Sequence, residues 1–313
     1  MTKIALIGPG AIGGTVAAWL AQDENLDLTI CTRTPFEDLQ VETPEGLITA
    51  KPKILTSPAE AKPVDWVLIA TKAYDADATK PWLDALLDET TRVAVIQNGV
   101  EHISLFEHLV PADRIVPVII NLPAARSAPG RITQHRHGII SVPAGKNGEE
   151  FAAFFAKTEI EAAAHEDFTT QAWLKLTGNA IAIVPSLTLR ATGPVWSADL
   201  EEIVRGLVED CAAVGRAEGA VIPQDFVENA INNSRTMPEG SSGGSLHADR
   251  LAGNPLEVDA RNGVIVRLGK KHGIPTPMNK VLVTLLAASG APWIENSAPE
   301  HKTLSRPSAS DHP

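Results

Sequence analysis

The sequence predicts an α/β protein in two parts, a doubly wound parallel sheet followed by a mostly α-helical domain. Three observations carry this. Up to Ile120, short apolar runs alternate with amphipathic stretches, as strands joined through helices require. From about Thr169 the apolar residues fall into helical spacing instead. The chain has 313 residues, more than one core ordinarily serves.

The elements follow in order. Residues 4–7 read as a buried strand and 11–20 as a helix of small residues; further strands are expected at 28–31, 66–70, 93–97 and 115–120. Residues 130–142 alternate like a half-exposed antiparallel strand or hairpin and are expected to close the first domain, 1–166. The second domain, 167–296, carries helix-period faces at 171–184, 199–218, 224–233, 257–272 and 276–286. Glycine and serine mark 238–245 as a flexible loop, and the polar, proline-bearing stretch 297–313 reads as a disordered tail.

Composition narrows the function classes. Hydrophobic residues make up 44% and charged residues 21%, ordinary for a globular chain, while aromatics are only 4%, so aliphatic residues must build the cores. A formal charge of -11 disfavours nucleic acid as a partner, since phosphate contacts need clustered Lys and Arg. The two cysteines, Cys31 and Cys211, lack metal-type spacing and fit a reduced, cytoplasmic setting. The N-terminal apolar run is too short for a signal peptide, and no stretch is long enough for a membrane helix. His135 and His137 stand two apart without a third ligand nearby, so no metal site is expected.

The chemistry begins at Gly8-Pro9-Gly10-Ala11-Ile12-Gly13, which follows a strand directly and opens a helix. That context suits a dinucleotide pyrophosphate: one glycine for the tight turn, one for close backbone approach, one for helix-on-strand packing. The sheet is therefore expected to be of Rossmann type. The next strand ends in Cys31-Thr32-Arg33-Thr34, with no acid before Glu37 to hold a ribose 2′-hydroxyl. Arg33 is placed to meet a 2′-phosphate, which favours NADP(H); its plain alternative is a solvated surface residue. Lys72 and Asn98 follow the third and fourth strands at the ligand edge of the sheet. Lys72 could equally be a solvated loop lysine, and Asn98 could orient a nicotinamide or shape a turn.

Lys175 and Asn179 lie one helical turn apart in an otherwise apolar segment. A buried lysine asks for a reason; donating a proton to a ketone as hydride arrives is one, and snorkelling from a helix rim is the other. Glu257 follows Pro255 at a helix start, where it could face the cleft and pair Lys175 or simply meet the helix dipole. Ser245 could bind a carboxylate or cap a helix.

Taken in order, "GPGAIG", "TRT", "ATKAYD", "QNGV", "KLTGN", "SLHADRLAGNPLEVDARNG" and "HGIPTPMN" resemble the ketopantoate reductases (2-dehydropantoate 2-reductases), over roughly residues 3 to 290. The resemblance implies a Rossmann domain and a helical domain with the active site between them, and NADPH-dependent reduction of 2-dehydropantoate in pantothenate biosynthesis. By it, Gly8, Gly10 and Gly13 would hold the pyrophosphate, and Arg33 and Lys72 the 2′-phosphate. Asn98 would lie beside nicotinamide and substrate, Lys175 would be the proton donor supported by Asn179, Ser245 would contact the substrate carboxylate region, and Glu257 would orient Lys175 and the substrate. One departure stands out: the family's second substrate-binding Asn has no counterpart around Ile183 and Val184, so a reductase of a different, more apolar 2-keto acid is a second reading. A non-catalytic NADP-binding regulator is a third, though it has no need of Lys175 and Glu257 together. The helical domain could pair with itself as a homodimer.

Overall fold

The computed structural model describes residues 1–238 and 243–292. The loop residues 239–242 and the tail 297–313 lie outside them.

The first domain opens with β1 (Thr2–Ile7), α1 (Ala11–Leu20) and β2 (Leu26–Cys31). A hairpin of β3 (Leu39–Thr43) and β4 (Gly46–Ala50) precedes β5 (Lys53–Leu55). Then come β6 (Trp66–Ile69), α2 (Lys80–Leu86), β7 (Arg92–Val95) and β8 (Ile115–Pro117). The sheet runs β5-β2-β1-β6-β7-β8 with every pair parallel. Successive strand residues point to opposite faces. Ile4, Leu6 and Leu68 therefore pack against Val16, Ala17 and Leu20 on one side. Ala5, Ile7, Val67 and Ile69 pack against Trp82, Leu83, Leu86 and Phe106 on the other. Burial on both faces is why these strands read as unbroken apolar runs. The chain leaves β1 toward β2 on one side and returns at β6 on the other. That reversal opens a crevice at the carboxyl ends of β1 and β6.

Two expectations are corrected here. The run 115–120 is two strands: β8 ends at Pro117, and β9 (Ile119–Asn121) joins a separate sheet ordered β13-β12-β9. Pro117 has no N–H to donate to a continuing ladder, and the chain changes sheets there. The stretch 130–142 is not one hairpin. Its first half, β11 (Arg131–Gln134), pairs antiparallel with β10 (Ala124–Ala128) and parallel with β3. Its second half, β12 (Gly138–Pro143), pairs with β9 and with β13 (Ile160–His165). Alternation tells that a strand is half-buried, not which strand it pairs with. The helix α3 (Lys146–Ala153) covers this third sheet.

The helical part starts where Asp167 accepts a hydrogen bond from the Thr170 N–H at 3.0 Å and caps α4 (Phe168–Ala180). It continues with α5 (Ile183–Thr188), α6 (Ala198–Ala217), α7 (Gln224–Arg235) and α8 (Ser245–Leu251). A π-helical turn, Asp259–Gly263, leads into α9 (Val264–His272), and α10 (Pro277–Ala288) follows. The helix expected at 171–184 thus breaks after Ala180, and the one expected at 257–272 begins as a π turn. Val204, Leu207, Val208, Cys211 and Val214 of α6 form the centre of this core. Asp210 of α6 caps α10 by accepting from the Met278 and Asn279 N–H groups at 2.9 and 3.0 Å.

Cys31 and Cys211 are buried and free. Among the described residues no helix is long and apolar enough to cross a membrane. On the surface, His137 pairs with Glu45 at 3.2 Å, and Glu159 brings a carboxylate within 4.8 Å of both; His135 is not part of this exposed group.

Candidate active site

The glycine turn sits at the mouth of the crevice. Gly8 has φ +90°, and a Cβ there would meet the Thr71 backbone N at 2.8 Å. A Cβ on Gly13 would press on the Gly8 carbonyl and approach Ala70 Cβ to 2.7 Å. Both glycines are thus demanded by the protein's own packing of α1 on the sheet. Gly10 is different: a Cβ there would meet no atom within 4 Å, so its flank is open. The first turn of α1 holds no acidic residue and no capping side chain, so its N–H groups and the positive end of its dipole face that open space. A pyrophosphate matches both features. Pro9 is buried, while Ala11 and Ile12 line the turn half-buried. At the end of β2, the Thr32 hydroxyl donates to the Thr34 carbonyl at 3.1 Å and shapes the bend that presents Arg33. Arg33 is exposed and has no protein partner among the described residues.

The turns after β6 and β7 form the floor of a cleft with the helical part. Gln97 ties them together, its amide N–H donating to Thr71 Oγ1 at 3.0 Å and to the Lys72 carbonyl at 3.3 Å. Next to it, Gly99 adopts φ +106°, and a Cβ there would lie 2.8 Å from the Ala260 carbonyl. Only glycine lets this turn abut the π turn so closely. Glu257 lies two residues before that π turn and is 4% exposed. Its carboxylate accepts from the Lys72 ammonium at 3.1 Å, the Asn98 amide at 3.0 Å and the Ala73 N–H at 3.1 Å. Lys72 also donates to Asp249 at 2.7 Å. On the other side, Lys175 donates to Asn98 Oδ1 at 3.4 Å. The Asn98 amide therefore bridges a cation and an anion, oxygen toward Lys175 and nitrogen toward Glu257. Arg267 braces the same junction, bonding Glu101 at 2.6 Å and also Asp259.

Burial, then the charge of Arg261, lowers the Lys175 ammonium to about 8, with Glu257 opposing the fall. Burial pushes the Glu257 carboxyl up, but Lys72, Arg261 and its donated hydrogen bonds hold it below its ordinary value, so it stays ionised. Burial likewise opposes the Lys72 charge, and Glu257 and Asp249 together outweigh it. Close by, His102 is buried and donates its Nε2–H to the Gln97 carbonyl at 2.9 Å. Burial holds that imidazole down to about 4.

The structure thus brings Lys72, Asn98, Lys175 and Glu257 into one connected group. Glu257 does not touch Lys175 directly; Asn98 stands between them. Lys72, which the family resemblance puts at the 2′-phosphate, is engaged by two carboxylates across the cleft. Asn179 lies one turn beyond Lys175 with its side-chain amide unpaired among the described residues. Ser245 opens α8 without capping it and accepts from Arg261 Nη2 at 2.7 Å. Ile183 and Val184 are 0% and 3% exposed in the helical core, so neither occupies a cleft position where an amide is missing. Sequence reading passed over Asp249 and Arg261. Arg261 had a signal, an arginine four residues after Glu257 in a helical segment that otherwise turns apolar. It also passed over Asn262 and Asn279. The Asn262 amide donates to the Ala180 carbonyl at 3.1 Å and to Asn279 Oδ1 at 3.0 Å, pinning the π turn against the end of α4.

Comparisons with known proteins agree with this architecture. Residues 4–147 match the model described as ketopantoate reductase PanE/ApbA, and residues 167–289 match its C-terminal counterpart. A 2-dehydropantoate 2-reductase of Caulobacter vibrioides is 53% identical, covering 92% of this chain and 99% of that protein. One from Mycobacterium tuberculosis is 40% identical, covering 92% and 98%. A crystal structure of 2-dehydropantoate 2-reductase from Geobacter metallireducens superposes with TM-score 0.83 at 25% identity, covering 92% and 99%. With both of its parts matched, and a cleft built from both, the chain belongs to the ketopantoate reductase family.

Proposed function

We propose that this protein uses NADPH to reduce the keto group of a small 2-keto acid to a hydroxyl, with 2-dehydropantoate as substrate and pantoate as product. The observation that carries this reading is the Lys175–Asn98–Glu257 relay at the carboxyl edge of the sheet. The names of its relatives supply the substrate.

In this reading the open flank of Gly10 and the uncapped start of α1 take the pyrophosphate, with Gly8, Pro9, Ala11, Ile12 and Gly13 forming the turn. Arg33 meets the 2′-phosphate; its exposed, unpaired guanidinium and the lack of an acid at the end of β2 support NADP over NAD. When bound, the cofactor supplies the hydride. Lys175 donates its proton to the keto oxygen as negative charge develops there. An ammonium lowered to about 8 is still mostly protonated at neutral pH and gives up its proton more readily than a free lysine. Asn98 fixes the direction of the ammonium, and Glu257 fixes Asn98. The unpaired Asn179 amide is left to hold the substrate. The role given to Lys72 is to bridge the two carboxylates.

The test is NADPH oxidation against a panel of 2-keto acids, with NADH in parallel. The expected result is turnover of 2-dehydropantoate with NADPH preferred; preference for a bulkier apolar 2-keto acid moves the reading to a different substrate. Lys175→Ala should lose at least 100-fold in kcat while NADPH still binds, by fluorescence titration. An unchanged rate removes Lys175 from the chemistry.

A further inference from the structure

Resting on that reading, we infer that Arg261 is the residue that takes the carboxylate of the 2-keto acid, with the Ser245 hydroxyl as its partner. Arg261 is 3% exposed and forms no ion pair among the described residues. Among the described residues its one hydrogen bond runs from Nη2 to Ser245 Oγ at 2.7 Å. Its Nε is sealed from solvent with no partner at all. A guanidinium buried without an anion is expensive, because what it loses in hydration must be replaced by charge or hydrogen bonds.

The nearby carboxylates Glu257 and Asp249 favour its charge from a distance, but neither is hydrogen-bonded to it among the described residues. Asp249 and Glu257 are both held by Lys72, at 2.7 and 3.1 Å. The group formed by Lys72, Lys175, Arg261, Asp249 and Glu257 has three cations and two anions. Among the described residues only Lys72 of these three cations is bonded to a carboxylate, which leaves Lys175 and Arg261 to meet the monoanion of a 2-keto acid.

Geometry points the same way. A 2-keto acid bears its carboxylate on the carbon that carries the keto oxygen, so whatever binds the carboxylate must stand beside the proton donor. The π turn holding Arg261 is pinned to the Ala180 carbonyl, next to Asn179 and one turn from Lys175. Arg261 is also close enough to Lys175 for its charge to lower that ammonium. A guanidinium fork matches a carboxylate in two hydrogen bonds, and the Ser245 oxygen accepts from Arg261 while its O–H remains free to donate. Charge recognition of the acid end thereby comes from the π turn and α8, apart from Ile183 and Val184, which lie in the core.

The experiment compares 2-dehydropantoate with its uncharged lactone, which keeps the ketone and lacks the carboxylate. In Arg261→Gln, kcat/KM for the acid should fall by about 100-fold, mostly in KM, while the lactone changes by less than about threefold. The alkaline limb set by Lys175 should move up in that variant, since Arg261's charge lowers that ammonium; the split between acid and lactone is the readout that a merely structural arginine would not move. Arg261→Lys keeps the charge and should retain the preference for acid over lactone, which covers the case where the glutamine variant does not fold. Equal losses on acid and lactone, or no loss on the acid, overturn the inference. Should the wild-type protein reduce no 2-keto acid, the functional reading fails on its own. The anion site is then read separately, by whether pantoate raises the thermal midpoint of the NADPH-loaded wild type but not of Arg261→Gln; no such difference overturns it.

Discussion

Replacing Glu257 by Gln removes one negative charge from the relay while keeping a side chain of the same shape. Glu257 is tied to Asn98 at 3.0 Å and Asn98 to Lys175 at 3.4 Å, so the charges lie roughly 8 Å apart across the amide. At an effective dielectric of about 20, a unit pair at that distance interacts by about 2 kcal/mol. That corresponds to a change in the lysine pKa of about 1.5, and partial screening reduces it to about 1. Lys175 starts from about 8. In the wild type, kcat/KM for reduction should therefore be flat to about pH 7 and fall tenfold per pH unit beyond about 8, because the proton donor is present below its pKa and lost above it. In Glu257→Gln the limb should begin near 7. The assay is NADPH oxidation from pH 5.5 to 10 at subsaturating substrate, with pantoate oxidation in parallel, which should rise with pH over the range where reduction falls. A limb that stays at 8 in the variant, or moves upward, would refute the electrostatic coupling through Asn98.

Further expectations follow from the same geometry. Gly10→Ala should leave the thermal midpoint within about 1 °C, since its Cβ meets nothing, yet weaken NADPH binding measured by titration; Gly13→Ala should lower the midpoint by several degrees because Ala70 stands in the way. His102 binds fewer protons folded than unfolded between about pH 4 and its ordinary value of 6.5. Stability should therefore drop as pH falls through that window, by about 3 kcal/mol at most, and urea titrations of His102→Gln should show a shallower dependence.

The parallel sheet was legible because burial on both faces writes strands as unbroken apolar runs, and the glycine turn marks where β1 becomes α1. What lay beyond the sequence was partnership. The alternation in 131–134 announces a strand, yet nothing in it says that the neighbours are β3 and β10. Lys175 and Asn179 could be placed on one face from spacing alone. That Glu257 would reach Asn98 rather than Lys175 could not be read, since those contacts join residues 159 and 77 positions apart. Ile183 and Val184 looked like a gap in a binding site only because sequence order hides the break after Ala180, which turns both side chains into the core.

The π turn at Asp259–Gly263 has a consequence for how this segment tolerates change. A π turn holds one residue more than an α-helical turn, so it turns the residues that enter it by about 100° relative to the faces of α9 that follows. Glu257 reaches the Asn98 turn before it, and Val264 and Ile265 fill the helical core after it. Deleting a single residue between them would let the turn run as ordinary α-helix and rotate Glu257 away from its partners relative to the core face of α9. The surplus residue acts as a mechanical offset, and no substitution elsewhere in the segment can stand in for it.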